Sequence, residues 1–212
     1  MNLSSRYLRL LDEVPSHVKI VVVSKQRSVE EIRTLYAAGC RYFGENRIEE
    51  AVAKQEALND LKDIHWHMVG TIQTKKAGKA VGVFSLIHSV DDLRLAMKLS
   101  QKSLEKGIKS CVLLQVNVTG EENKHGWSEE GIRECFQELL SLDGLEVQGL
   151  MTMAVEGAQE EEIRKGFRRL SELKQELCPD LPYLSMGMSQ DYRIAIEEGA
   201  NLVRIGSAIF ER

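Results

Sequence analysis

The sequence predicts an α/β fold closed into a single (β/α)8 barrel, on three observations. Strand-like and helix-like segments alternate along the whole chain, the strand-like segments number eight, and the first lacks the glycine-rich turn of a dinucleotide-binding sheet. Strands separated by helices of this length imply right-handed crossovers and a parallel sheet. Closure is preferred to an open, doubly wound sheet because Ser24-Lys25-Gln26 stands where the glycine-rich turn is required.

An extra helix over Leu3–Glu13 precedes the barrel. The first strand, near 18–24, contains Ile20-Val21-Val22-Val23, a β-branched run suited to burial on both faces. It passes at once into the helix start Ser28-Val29-Glu30-Glu31, a capping-box pattern. Further strands are expected near 41–44, 64–69, 83–88, 110–118, 145–151, 182–186 and 202–205. Between them apolar residues recur at helical spacing. Leu93, Ala96, Met97, Ser100 and Leu104 share one face, as do Ile132, Cys135, Phe136, Leu139 and Leu140, and then Ile163, Phe167, Leu170, Leu173 and Leu177. With 212 residues, three prolines and no low-complexity stretch, one domain over 1–212 is expected.

Hydrophobic residues make up 43% and charged residues 28%, as in a globular protein with a sizeable core. The net charge of -4 argues against nucleic acid as a partner, since phosphate neutralisation needs clustered Lys and Arg. Cys40, Cys111, Cys135 and Cys178 are scattered, without metal-ligand spacing, so neither a zinc site nor a disulfide framework is expected. Neither a signal core nor an apolar stretch near the roughly 18 residues that span a membrane is present, which makes the cytoplasm the expected compartment.

In a (β/α)8 barrel the functional face is built from the carboxyl ends of the strands. Lys25 stands at the first of these. Burial there disfavours the ammonium form, so the amine can attack a carbonyl and form a Schiff base; an ordinary solvated lysine is the alternative. Phosphate-binding barrels often use the loops after strands seven and eight. Here Ser185-Met186-Gly187-Met188-Ser189 leads into a helix with Ser189 as its N-cap, and Gly206-Ser207-Ala208 opens a last helical turn. Small residues let backbone N–H groups reach an anion; capped turns without a ligand are the alternative. Arg204, inside the last apolar strand, faces either a polar barrel mouth or a salt-bridge partner, Glu45 or Glu197. His65 and His67 share a strand face, but without a third ligand at suitable spacing they are expected to be hydrogen-bonded histidines and not a metal pair. The charged segment 117–126 is either a lid or a solvated excursion.

The stretches VVVSK (21–25), FGENRIEE (43–50), IHWHMVGTIQTKK (64–76), VNVTGEENKHG (116–126), GLMTMA (149–154) and LSMGMSQDYRIAIEEGANLVRIGSAIF (184–210) resemble the pyridoxal-phosphate homeostasis proteins. These are single-domain barrels similar to the amino-terminal domain of alanine racemase. The resemblance implies that pyridoxal 5'-phosphate (PLP) is the cofactor and that Lys25 forms the internal aldimine with it. It further implies that Asn46 lies against the cofactor ring, that Arg204 faces the pyridine nitrogen, and that Ser185, Ser189, Gly206 and Ser207 hold the phosphate. Family members often read G-H-L-Q-S-N-K where this chain has Gly70-Thr71-Ile72-Gln73-Thr74-Lys75-Lys76, so the side-chain roles of that loop do not carry over to Thr71 and Lys75. Racemases of related fold add a second, β-rich domain and a tyrosine from a dimer partner. This chain ends at Arg212 and offers only Lys25 with rim candidates such as His67 or Tyr42. The resemblance thus implies a monomeric PLP carrier in vitamin B6 homeostasis, passing the cofactor to PLP-dependent apoenzymes, with no catalytic residues; Lys124 is a further candidate acceptor. A PLP-dependent amino-acid racemase or lyase is the alternative, and a cofactor-free Schiff-base aldolase a more remote one.

Overall fold

The computed structural model describes residues 2–120, 125–155 and 157–211. The helix α1 (Leu3–Glu13) is capped by Asn2, whose side chain accepts a hydrogen bond from the Ser5 amide. Then follow β1 (Lys19–Val23), α2 (Val29–Ala37), β2 (Tyr42–Glu45), α3 (Ile48–Ala57), β3 (His65–Met68), α4 (Ala77–Ala80), β4 (Leu86–Val90), α5 (Leu93–Glu105) and β5 (Ser110–Gln115). The chain continues through α6 (Glu129–Leu140), β6 (Leu145–Met151), α7 (Glu160–Leu177), β7 (Tyr183–Ser185), α8 (Tyr192–Glu197), β8 (Leu202–Ile205) and α9 (Ser207–Phe210). The Ser28 capping box at the start of α2 is formed in both directions.

The strands pair in chain order, all parallel, and β1 closes the cylinder on β8 with Val22 beside Ile205. Alternation along the strands divides the core. Val21, Leu86, Leu113, Met151 and Leu202 pack as one buried cluster inside the barrel. Ile20, Val22, Phe43, Ile87, Leu114, Leu150, Val203 and Ile205 belong to the larger cluster against the helices. Burial of the first strand on both faces is thus as expected.

Three local expectations are corrected. The fourth strand occupies Leu86–Val90 and not 83–88, because Val83 closes a turn on Ala80 and the ladder to β3 begins only at Ser85. The fifth stops at Gln115, where Trp127 comes back beside it and bonds Gln115 and Asn117. On α5 the buried residues are Leu95, Ala96, Leu99, Ser100 and Ser103, whereas Met97 and Leu104 are 50% and 54% exposed. Its apolar residues cover so wide an arc that two stripes compete, and sequence spacing picked the wrong one. In the same way Leu140 of α6 is exposed beside buried Leu139. No helix among the described residues is long and apolar enough to cross a membrane, and all four cysteines are free.

Candidate ligand site at the barrel mouth

Seven of the eight strand ends contribute polar groups to the site, and the β1–β8 seam brings the two ends of the chain together. Lys25 lies just beyond β1 and Gly206 just beyond β8; a Cβ built on Gly206 would stand 3.5 Å from the Val23 carbonyl oxygen. The amine and the expected anion loop therefore occupy neighbouring strand ends.

The loops after β7 and β8 are tied by one hydroxyl. Ser189 Oγ accepts from the backbone amides of Gly206 and Ala208, each at 3.2 Å. Ser189 is consequently not the N-cap of α8, as the sequence suggested. Asp191 holds that position, with its carboxylate accepting from the Met188 amide at 2.5 Å. Gly187 lies at φ +94, and a Cβ there would come within 2.7 Å of Ala195 Cβ, so only glycine lets this loop pack on α8. Ser207 is exposed at the start of α9.

Arg204 is buried. Its Nη1 donates to Ser185 Oγ at 2.6 Å and its Nη2 to the Thr152 carbonyl oxygen at 2.8 Å, so neither Glu45 nor Glu197 is its partner. Burial lowers the guanidinium to about 10, which leaves it charged at neutral pH. Ser185 also meets His88 Nδ1 at 3.0 Å, and His88 Nε2 meets His67 Nδ1 at 2.9 Å. Because arginine can only donate, the Ser185 hydroxyl accepts from Arg204 and its proton is directed to His88 Nδ1. His88 then carries hydrogen on Nε2 and donates to His67. Burial holds His67 down at about 3 and His88 well below the usual histidine range, so both rings are neutral.

This arrangement revises the expected role of Ser185. Its side chain is wholly buried and engaged by Arg204 and His88, within the barrel and not in the Ser189–Ala208 anion loop. Asn46 is half-buried after β2, and a Cβ on Gly70 would stand 2.4 Å from the Asn46 carbonyl oxygen, so the β2 and β3 ends press backbone to backbone. Lys25 itself is exposed, contrary to the burial invoked from sequence to make its amine neutral. Tyr42 opens β2 at the opposite pole of the cylinder, stacked on His65 at 5.0 Å and near Lys19, far from the mouth. Thr71 and Lys75 are both exposed. Lys124 lies outside the described residues, as does most of the charged tip of its loop.

In the sequence Glu45, His88 and Thr152 stand at strand ends on the functional face, but Glu45 entered only as a candidate partner of Arg204, His88 and Thr152 received no role, and Lys54 was missed. Inward alternation on the fourth strand was a signal for the role of His88; Thr152 contributes a backbone carbonyl, which its side-chain type does not mark. No group of three or more metal-ligating side chains occurs among the described residues.

A closed eight-stranded parallel barrel with its polar groups gathered at the carboxyl pole defines the class as the alanine racemase N-terminal-domain fold, and the model for "Alanine racemase, N-terminal domain" matches residues 2–211. Within that class the chain belongs to the pyridoxal phosphate homeostasis protein family. The family member of Aquifex aeolicus is 40% identical over 224 residues, covering 99% of this chain and 98% of that one. That of Synechocystis is 38% identical, covering 97% and 96%. PipY of Synechococcus elongatus with PLP bound superposes with a TM-score of 0.91 at 38% identity, covering 99% of this chain and 100% of that one. Alanine racemase of Clostridium difficile shares the fold alone: TM-score 0.82, 17% identity, 100% of this chain and 56% of that one.

Proposed function

We propose that this protein binds PLP in the barrel mouth, holds it as a Schiff base on Lys25, and serves intracellular PLP homeostasis without catalytic turnover. The observation that carries this proposal is the β1–β8 seam, which sets a primary amine next to an anion loop. The donor set suits the cofactor: an amine for its aldehyde, backbone amides with Ser189 and Ser207 for its phosphate, and a guanidinium for its ring nitrogen. When bound, PLP supplies an aldehyde carbon that condenses with an amine and a ring that can accept electrons.

The chain's own residues divide the remaining work. Gly206, Ser189 and Ser207 grip the phosphate, Asn46 flanks the ring, and Arg204 donates to the ring nitrogen while Ser185, His88 and Thr152 hold it in place. An anchored phosphate keeps the aldehyde beside the exposed Lys25 at high effective concentration. Arg204 stays protonated at neutral pH and so leaves the ring nitrogen unprotonated, which makes the ring a weak electron sink. His67 and His88 are neutral and committed to the Ser185 network, so neither stands ready as a second acid or base. These features support a carrier and not a catalyst; delivery of PLP to apoenzymes by a cytoplasmic monomer of one domain completes the proposal.

Borohydride reduction of the PLP-loaded protein followed by peptide mass analysis tests the site. A pyridoxyl label on Lys25 is expected, and label confined to other residues would overturn the assignment. The racemase alternative predicts racemised product in a chiral assay across a panel of amino acids, dependent on Lys25; the carrier predicts none. Ser189→Ala, which removes the acceptor shared by two loops, is expected to weaken PLP affinity about ten-fold, measurable by fluorescence titration.

A further inference from the structure

Behind Lys25, on the side facing the helices, lies a charged cluster that phosphate and ring recognition do not use. Lys54 of α3 is buried, with its side chain only 8% exposed. Its ammonium donates to the Ser24 carbonyl oxygen at 2.7 Å, to Glu45 Oε1 at 2.8 Å and to Glu50 Oε1 at 2.6 Å, so each of its hydrogens has an acceptor. Glu50 Oε1 also accepts from the Gln26 amide at 2.6 Å, and Ser24 Oγ donates to Glu45 Oε1 at 2.7 Å. The backbone immediately before Lys25 and the backbone immediately after it are thus held by one ion cluster. Gln26 has φ +59, the one positive φ at a non-glycine among the described residues, a conformation that persists only where its surroundings enforce it.

The cluster is poorly suited to stability alone. Glu45 Oε2 is buried without a hydrogen-bond partner, and buried ion pairs often contribute less than an apolar replacement would. What the cluster does achieve is to lock the turn carrying Lys25 to the end of β2, where Glu45 precedes Asn46.

We infer that Lys54 is a positioning residue for Lys25, fixing the Ser24–Gln26 turn in the conformation that presents the Lys25 amine to the cofactor's aldehyde. The inference rests on Lys25 being the Schiff-base residue. In that step the Nζ lone pair forms the bond to the aldehyde carbon, and the carbonyl oxygen leaves as water with both protons of the neutral amine. Lys54 bonds Ser24, Glu45 and Glu50 and none of the residues assigned to the phosphate or the ring, Asn46 included, so its loss disturbs condensation more than docking.

The test compares two probes on the full-length protein: PLP, and pyridoxine 5'-phosphate, which carries an alcohol where PLP has the aldehyde. In Lys54→Met the affinity ratio of PLP to pyridoxine 5'-phosphate is expected to fall by about ten-fold or more, with pyridoxine 5'-phosphate affinity held within about two-fold. Lys54→Arg, which keeps charge and donors, is expected to recover part of the ratio. Glu50→Gln, a milder change at the same cluster, should lower it by about three-fold and decides the matter if Lys54→Met does not fold. An unchanged ratio, or an equal loss for both probes, overturns the positioning role. Absence of borohydride label on wild-type Lys25 overturns the underlying Schiff-base assignment instead, which keeps the two failures apart.

Discussion

Lys25→Ala is expected to abolish covalent capture of PLP while leaving the fold untouched. Lys25 is exposed and makes no hydrogen bond or ion pair in the structure, so its truncation should change unfolding free energy by no more than about 0.5 kcal/mol. The visible band of the bound cofactor and the borohydride-stable label should both vanish, since Lys25 is the one lysine just beyond the carboxyl ends of β1 and β8 among the described residues, Lys19 lying at the opposite end of that seam. Weak reversible binding through the phosphate loops and Arg204 should remain, detectable with pyridoxine 5'-phosphate. Lys25→Arg separates charge from nucleophilicity: it keeps the cation yet should lose the label equally, because a guanidinium does not condense under these conditions. Persistence of stoichiometric label in either variant would sink the assignment.

Acidification below about pH 6.5 is expected to destabilise the protein steeply, before ordinary carboxylates titrate. His67 is depressed to about 3 and His88 well below its usual value, both chiefly by burial, with Arg204 adding repulsion at His88. In the unfolded chain each returns to about 6.5. The unfolded state therefore binds more protons throughout the window from about pH 6.5 down to about 3 for His67, and stability falls as pH drops through it. Each histidine contributes a slope of up to about 1.4 kcal/mol per pH unit, so the pair together approach about 2.7. Glu45, Asp91 and Asp191, raised by burial, act in the opposite sense and reduce the net slope above the unfolded carboxylate range. Urea midpoints taken between pH 7.5 and 5 should show the decline, and His88→Gln should remove about one proton from it. A flat profile in wild type would show that the two rings are not buried as neutral groups.

Much of the architecture was legible because parallel strands and amphipathic helices leave strong local patterns. The eight strands, the Ser28 capping box and the polar strand ends all follow from residues close in sequence. Lys25 and the Ser189 and Gly206 loops could be named for the same reason, each beside the strand that carries it. Contacts across the cylinder left no such trace. Ser185 reads as one more small residue in a serine-rich loop, and only the inward turn of β7 toward Arg204 and His88 reveals its place. Lys54 and Glu50 look like an exposed i,i+4 helix pair, and the burial of Glu45 beneath them comes from the packing of α3 on β2. The burial expected for Lys25 failed because its strand ends at Val23 and the chain emerges into solvent just after buried Ser24.

The seam between the first and last strands has a bearing on biosynthesis. A ribosome makes Lys25 early and the Gly206–Ala208 turn about 180 residues later, so a polypeptide not yet extended through β8 would hold, on the proposed assignment, a lysine with nothing to draw the vitamin-derived aldehyde toward it. Capture would wait until β8 has paired with β1 and the ring of strands is complete. Loading would thereby be a late event in the making of the barrel.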